Sequence, residues 1–142
     1  MEIDRFDGKY VFFKDNTKEK FDVIVACTGY LLSHPFFEKD FIDYKEGSVP
    51  LYLKMFHPIY HDLFFIGMFQ PLGCIWPGSE QQSKLLALTL NNKWKRPSNI
   101  KDLCESEVSN PHMKQIDTNR HRITVDFHKF MSDLKKQISI SN

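Results

Sequence analysis

The sequence has few features that tie a protein to an oxidising compartment, a membrane or a nucleic acid. Its three cysteines form no CxxC pair, which argues against a disulfide framework or a zinc knuckle. No apolar run approaches the roughly 20 residues that cross a bilayer, and the first ten residues lack a basic-then-apolar signal pattern. A formal net charge of +1 provides no surface for nucleic acid. We therefore expect a cytoplasmic protein with no membrane or nucleic-acid partner.

The sequence is rich in aromatic residues. Aromatic residues make up 14% of the 142 positions, and 13 of them are phenylalanine. A chain of this length is one domain by size and can bury a core. The phenylalanine content exceeds what a small self-contained domain needs, which indicates apolar surfaces that another element covers.

The first thirty residues read as strand material. Apolar alternation predicts strands at 3–6, 9–13 and 21–26, and the Asp7-Gly8 pair is a recognised hairpin signal. Together they predict a β-meander that leads into a buried strand ending at Thr28-Gly29-Tyr30.

The rest of the chain mixes strands and helices, so the fold class is α/β. Short strands are predicted at 51–56 and 63–67, the second being continuously apolar and suited to a sheet interior. Ser79 and Gln82 fit a capping box for a helix at about 80–95, and a weaker helix follows at 99–108. A terminal amphipathic helix at about 126–138 is predicted from the helical spacing of Phe127, Phe130, Met131, Leu134 and Ile138.

A glycine-bearing loop of Gln70, Pro71, Leu72 and Gly73 lies between the second predicted strand and its helix. Loops of this kind approach a ligand closely, but a glycine there also simply permits a tight turn. The same two readings hold for Thr28, Gly29 and Tyr30. Spacing alone favours the plain turn at both places.

No metal site is predicted. His57 and His61 are four residues apart, but Pro58 between them argues against one continuous helix. No cysteine or carboxylate pair stands at a ligand spacing beside them. Solvent-facing or backbone-bonded histidines are the better interpretation.

Three segments of the chain resemble the flavin-containing monooxygenases. They are "DVIVACTGY" at 22–30, "LFFIGMFQPLGCIWPGSEQQSK" at 63–84 and "RHRITVDFHKFMSDL" at 120–134. The resemblance spans nearly the whole chain, but only to the carboxyl-terminal part of such an enzyme. The family's GxGxxG loops for FAD and NADPH are absent, because glycines at 8, 29, 47, 67, 73 and 78 never have that spacing.

The resemblance implies the carboxyl-terminal part of a Rossmann-like flavoprotein with two dinucleotide-binding domains. Residues 1–30 would end the NADPH-binding domain, and residues 31–142 would belong to the FAD-binding domain, so the chain would start in mid-fold. The implied cofactor-binding residues are Thr28, Gly29 and Tyr30 in the cleft between the domains, with Gln70, Pro71, Leu72 and Gly73 beside the flavin ring.

The resemblance also implies the chemistry. Members use NADPH, FAD and O2 to oxygenate soft nucleophiles, either an amine nitrogen or a sulfide sulfur. Because the cofactor carries out the bond chemistry, no catalytic side chain is assigned here. We expect this chain to be inactive alone and prone to self-association. The alternative is a non-catalytic interaction module that pairs with a separate FAD-binding half.

Overall fold

The computed structural model describes residues 2–27, 33–38, 41, 50–110 and 123–140. These residues form three strands and three helices: β1 (Ile3–Asp7), β2 (Tyr10–Phe13), β3 (Lys18–Lys20), α1 (Trp76–Leu90), α2 (Ile100–Ser109) and α3 (Phe127–Ile140). Strands and helices are mixed, as expected of an α/β fragment. None of the helices in the described ranges is long and apolar enough to span a membrane. The chain divides into two compact units, residues 1–30 and residues 31–142.

The first unit is the predicted β-meander. Strands β1, β2 and β3 pair antiparallel in that order. Gly8 adopts a φ of +56° in the turn between β1 and β2, a conformation that glycine reaches without steric cost. The first two predicted strands are therefore confirmed.

The third strand of the meander was predicted in the wrong place. It spans Lys18–Lys20, whereas residues 21–26 form no strand. The turn is shorter than expected because Asn16 takes a left-handed φ of +65°, which lets β3 begin at Lys18. Val23 and Val25 are 77% and 76% exposed, since no strand of the described residues pairs with this apolar run.

The predicted strands at 51–56 and 63–67 are also wrong. Residues 52–56 close a tight turn in which the Met55 N–H donates to the Tyr52 carbonyl at 3.1 Å. Leu53 and Lys54 both have positive φ, +52° and +55°, as the central residues of a primed turn do. What remains of strand pairing is single bridges, such as Phe56 with Phe64. The aromatic content suggested strands, whereas these side chains fill a core around a turn.

Helix α1 starts four residues earlier than predicted, and the predicted capping box is not formed. Pro77 lies in its first turn, where proline is well tolerated because no intrahelical partner is lost. The Ser79 hydroxyl donates to the Ile75 carbonyl, and Gln82 is fully buried. The helix ends at Leu90, followed by Asn92 with a left-handed φ of +57°, a common way to terminate a helix.

The predicted helices at 99–108 and 126–138 are confirmed as α2 and α3, with ends shifted by one or two residues. At the start of α3 the Asp126 carboxylate accepts the Lys129 N–H at 3.0 Å, an N-cap interaction. The apolar faces of the helices meet in one core, whose buried members are Leu53, Met55, Phe56, Phe69, Leu85, Trp94, Ile100, Cys104, Val125, Phe130 and Leu134.

One contact in this core leaves no spare room. Gly78 of α1 lies directly on the Phe69 ring, and a Cβ added to it would stand 2.4 Å from Phe69 Cζ. The ring cannot retreat easily, because it packs against Phe130 at a centroid separation of 4.6 Å and is only 1% exposed. Only glycine at position 78 therefore lets α1 approach so closely.

We expect Gly78→Ala to destabilise the chain. Alanine improves helix propensity by about 1 kcal/mol, but overpacking typically costs about 1–3 kcal/mol, and a 2.4 Å contact with a confined ring falls at the upper end. The free energy of unfolding in urea should fall by about 1–2 kcal/mol. Ser83→Ala, at an exposed position of the same helix, is the control and should change little. A Gly78→Ala chain as stable as the parent would contradict the packing.

Candidate functional site

The loop of residues 70–73 is anchored on the side that faces the core. The Gln70 N–H donates to the Ile123 carbonyl at 2.8 Å, and the Val125 N–H donates to the Gln70 carbonyl at 3.1 Å. This short parallel bridge ties the start of the loop to the segment before α3. The residue before it, Phe69, is buried. The backbone of Gln70 is therefore fixed, while its side chain is exposed.

The bridge partner was missed in the sequence, although a signal for it existed. Ile123, Thr124 and Val125 are three consecutive β-branched residues, a composition that favours extended pairing.

The opposite side of the loop is open and apolar. Leu72 is 84% exposed, and Trp76, the first residue of α1, is 78% exposed. Gly73 has a φ of +117°, and a Cβ built on it meets nothing within 4 Å. The glycine is thus required by the backbone conformation, and the space beside it is free. The loop presents backbone and apolar surface to whatever lies in front of it.

Of the seven predicted cofactor-binding residues, four lie together in this loop: Gln70, Pro71, Leu72 and Gly73. The other three, Thr28, Gly29 and Tyr30, lie outside the described residues. Their role stays a prediction.

The two histidines that stand four residues apart, His57 and His61, have different environments. His57 is buried, and its Nδ1 accepts the N–H groups of Ile59 at 3.1 Å and Tyr60 at 3.0 Å. Burial, followed by the nearby Arg96 cation, lowers the pKa of His57, so the neutral ring that can accept these bonds is favoured. His61 is exposed. Across the described ranges no cluster of three or more potential metal ligands occurs.

The loop contains no pair of groups suited to acid–base catalysis. Its polar groups are one amide side chain and the backbone, which can bind and orient but not exchange protons near neutral pH. The nearest cysteine, Cys74, is exposed, whereas Cys104 is a buried residue of α2. Burial raises the pKa of the Cys104 thiol to about 11, so it stays protonated and unreactive.

A family described as flavin-binding monooxygenase-like matches residues 1–142. The chain belongs to this family. Flavin-containing monooxygenase 5 of Rattus norvegicus is 29% identical over 97% of this chain. Dimethylaniline monooxygenase [N-oxide-forming] 2 of the same species is 34% identical over 75% of it. A 4-hydroxybenzoate brominase (decarboxylating) of Pseudoalteromonas luteoviolacea is 43% identical over 49% of it.

The chain spans only about a quarter of the length of such relatives. It covers 27% of the length of the rat flavin-containing monooxygenase 5. The name of the brominase describes a different kind of reaction from that of the monooxygenases. Membership therefore relates the chain to flavin-binding, monooxygenase-like proteins. It does not define a substrate, because the names of the relatives describe different reactions.

The residues present fit one end of a flavin. The open side of the loop, with free space beside Gly73 and the exposed Leu72 and Trp76, has the apolar character that suits an aromatic ring system. The glycines of the chain lack the spacing that cradles a pyrophosphate.

The burial of Cys104 gives a direct test of the fold around this site. With Ellman's reagent at mildly alkaline pH, Cys27 and Cys74 should react quickly, because both are exposed, and Cys104 should react only on unfolding. We expect two fast thiols in the native chain and three in denaturant. The Cys104→Ala variant should lose the protected thiol alone. Three fast thiols in the native chain would contradict the burial.

Proposed function

We propose that this chain is the carboxyl-terminal segment of a flavin-dependent monooxygenase that uses NADPH, FAD and O2 to oxygenate an amine nitrogen or a sulfide sulfur. The observation that carries the proposal is the loop Gln70–Gly73: its backbone is fixed behind by residues 123–125, and its front is open and apolar. The family match over the full chain supports the same function. Bound FAD would supply the oxygenating chemistry.

In this proposal the loop forms one wall of the flavin site. Gly73, with its φ of +117°, lets the backbone approach the ring without a side chain in between. Leu72 and Trp76 would exclude water from the edge of the ring. Gln70 supplies an amide that can hydrogen-bond to a ring heteroatom or to the substrate.

Helix α1 adds an electrostatic contribution. It begins at Trp76, directly after the loop, and its first turn carries no acidic residue and no side-chain cap. The partial positive charge of a helix amino terminus stabilises negative charge nearby. Such charge develops on a flavin when it is reduced, so this helix would favour the reduced cofactor.

The exposed apolar residues support a covering partner. Val23, Ile24 and Val25 in one unit, and Leu72 and Trp76 in the other, are more than half exposed. We propose that residues 1–30 complete an NADPH-binding domain and residues 31–142 an FAD-binding domain, each covered by an amino-terminal part of the enzyme. The alternative is a non-catalytic module that pairs with a separately encoded FAD-binding half, and the same exposed residues favour it.

A chimeric enzyme tests whether the loop can form part of a flavin-binding site; we call it the graft. Residues 63–84 would replace the corresponding segment of rat flavin-containing monooxygenase 5. We expect the purified graft to retain FAD, seen as visible flavin absorbance, and to oxidise NADPH with uptake of O2. The 142-residue chain alone, incubated with FAD and freed of excess, should stay colourless because it lacks a pyrophosphate-binding loop.

Two variants of the graft provide the contrast. Gln70→Ala should weaken FAD retention, because it removes the exposed amide of the loop. Gln81→Ala, on the following helix, is the matched control and should retain FAD like the unaltered graft. A folded graft without flavin would contradict the proposal, and a yellow 142-residue chain would contradict the expectation that the segment is incomplete alone.

A further inference from the structure

One buried side-chain amide in the second unit joins two backbone segments: the one that leads into the loop, at Gly67, and the turn at Leu53. Gln82 of α1 has no exposed surface. Its Oε1 accepts the Gly67 N–H at 2.9 Å, and its Nε2 donates to the Leu53 carbonyl at 3.0 Å. Burying an amide without partners is costly, but here both ends of the group are used.

The first end holds the backbone where the chain turns into the loop. Gly67 has a φ of +79°, and a Cβ added to it would lie 3.4 Å from the Ser79 hydroxyl of α1. The bond from Gly67 to Gln82 therefore fixes both the conformation and the distance to the helix. Three residues further on, the chain reaches Gln70.

The second end holds a strained turn. Leu53 and Lys54 are non-glycine residues in the left-handed region, which costs about 1–2 kcal/mol for each residue. The Leu53 carbonyl is bound by Gln82, and its N–H donates to Glu107 Oε1 of α2 at 2.8 Å. Glu107 also lies 3.3 Å from Lys54 Nζ in a nearly buried ion pair. Side chains of two helices thus hold one residue of the turn.

We infer that Gln82 is the positioning residue of the Gln70–Gly73 loop. It joins the backbone that enters the loop to the turn at Leu53 and, through Glu107, to α2. A leucine could fill a similar volume, but it could neither accept the Gly67 N–H nor donate to the Leu53 carbonyl. That the loop contacts a flavin rests on the proposed function. That Gln82 positions the loop does not depend on it.

Amide hydrogen exchange of the full 142-residue chain, without flavin, tests this inference. We compare Gln82→Leu with Gln81→Leu, the same change at the adjacent, only partly buried position. Loss of the buried hydrogen bond should speed exchange about tenfold at Gly67 and at Gln70, whose N–H groups are both hydrogen-bonded. Exchange in the core of α3 should change less. Gln81→Leu should leave the loop as in the parent.

Gln82→Glu separates positioning from mere filling of space. When protonated, the introduced carboxyl can donate to the Leu53 carbonyl and accept from Gly67, so the loop should be protected as in the parent. Burial raises the pKa of such a carboxyl. As pH rises through that pKa, the donor is lost and a buried charge appears. Loop protection, measured against the parent at each pH, should therefore be present at low pH and lost at higher pH.

The inference is overturned if Gln82→Leu behaves like Gln81→Leu, if it speeds exchange equally in α3, or if Gln82→Glu shows no pH dependence in the loop. Should Gln82→Leu not fold, the pH profile of Gln82→Glu decides alone. Failure of the flavin graft with these exchange results intact would overturn the proposed function and leave the positioning role standing.

Discussion

The close approach of α1 to Phe69 is the constraint on which the second unit depends. Gly78 permits it, and Phe130 of α3 packs against the same ring. Full burial of such a ring contributes about 1.5–3 kcal/mol, with a further 0.5–1.5 kcal/mol from the aromatic pair. Because Phe69 immediately precedes Gln70, the same contact fixes where the loop begins. The core and the candidate site thus share one anchor.

The loop is consequently anchored on the side that faces the core and open on the opposite side. Its rear is held by the bridge to residues 123–125 and by the Gln82 amide at Gly67. Its front carries Leu72 and Trp76, among the most exposed apolar side chains of the described residues. A wall of this kind suits a cofactor that must be held at a set distance, since preorganised contacts need no rearrangement on binding.

Sequence patterns predicted the parts of the fold that local interactions determine. The Asp7-Gly8 hairpin and the amphipathic α3 follow from short-range periodicity and turn chemistry. The errors arose where tertiary contacts decide. Phe56 and Phe64 indicated strands but fill a core around a left-handed turn, and Gln82 resembled a capping residue but serves a bond to Leu53. A loop at residues 70–73 does precede a helix, as predicted, because its glycine and its place before the helix are local signals. Its anchor at residues 123–125 could not be predicted in this way, since it lies some fifty positions away along the chain.

The central claim is that residues 70–76 contact the flavin. Hydrogen exchange of the grafted rat monooxygenase, measured with FAD bound and after its removal, tests this most directly. The account predicts that FAD protects the backbone amides of Leu72, Gly73 and Cys74 and those at the start of α1, while the segment of the rat enzyme that corresponds to α3 changes little. Bound FAD that leaves the exchange of residues 70–76 unchanged, with protection confined to the rest of the protein, would contradict it.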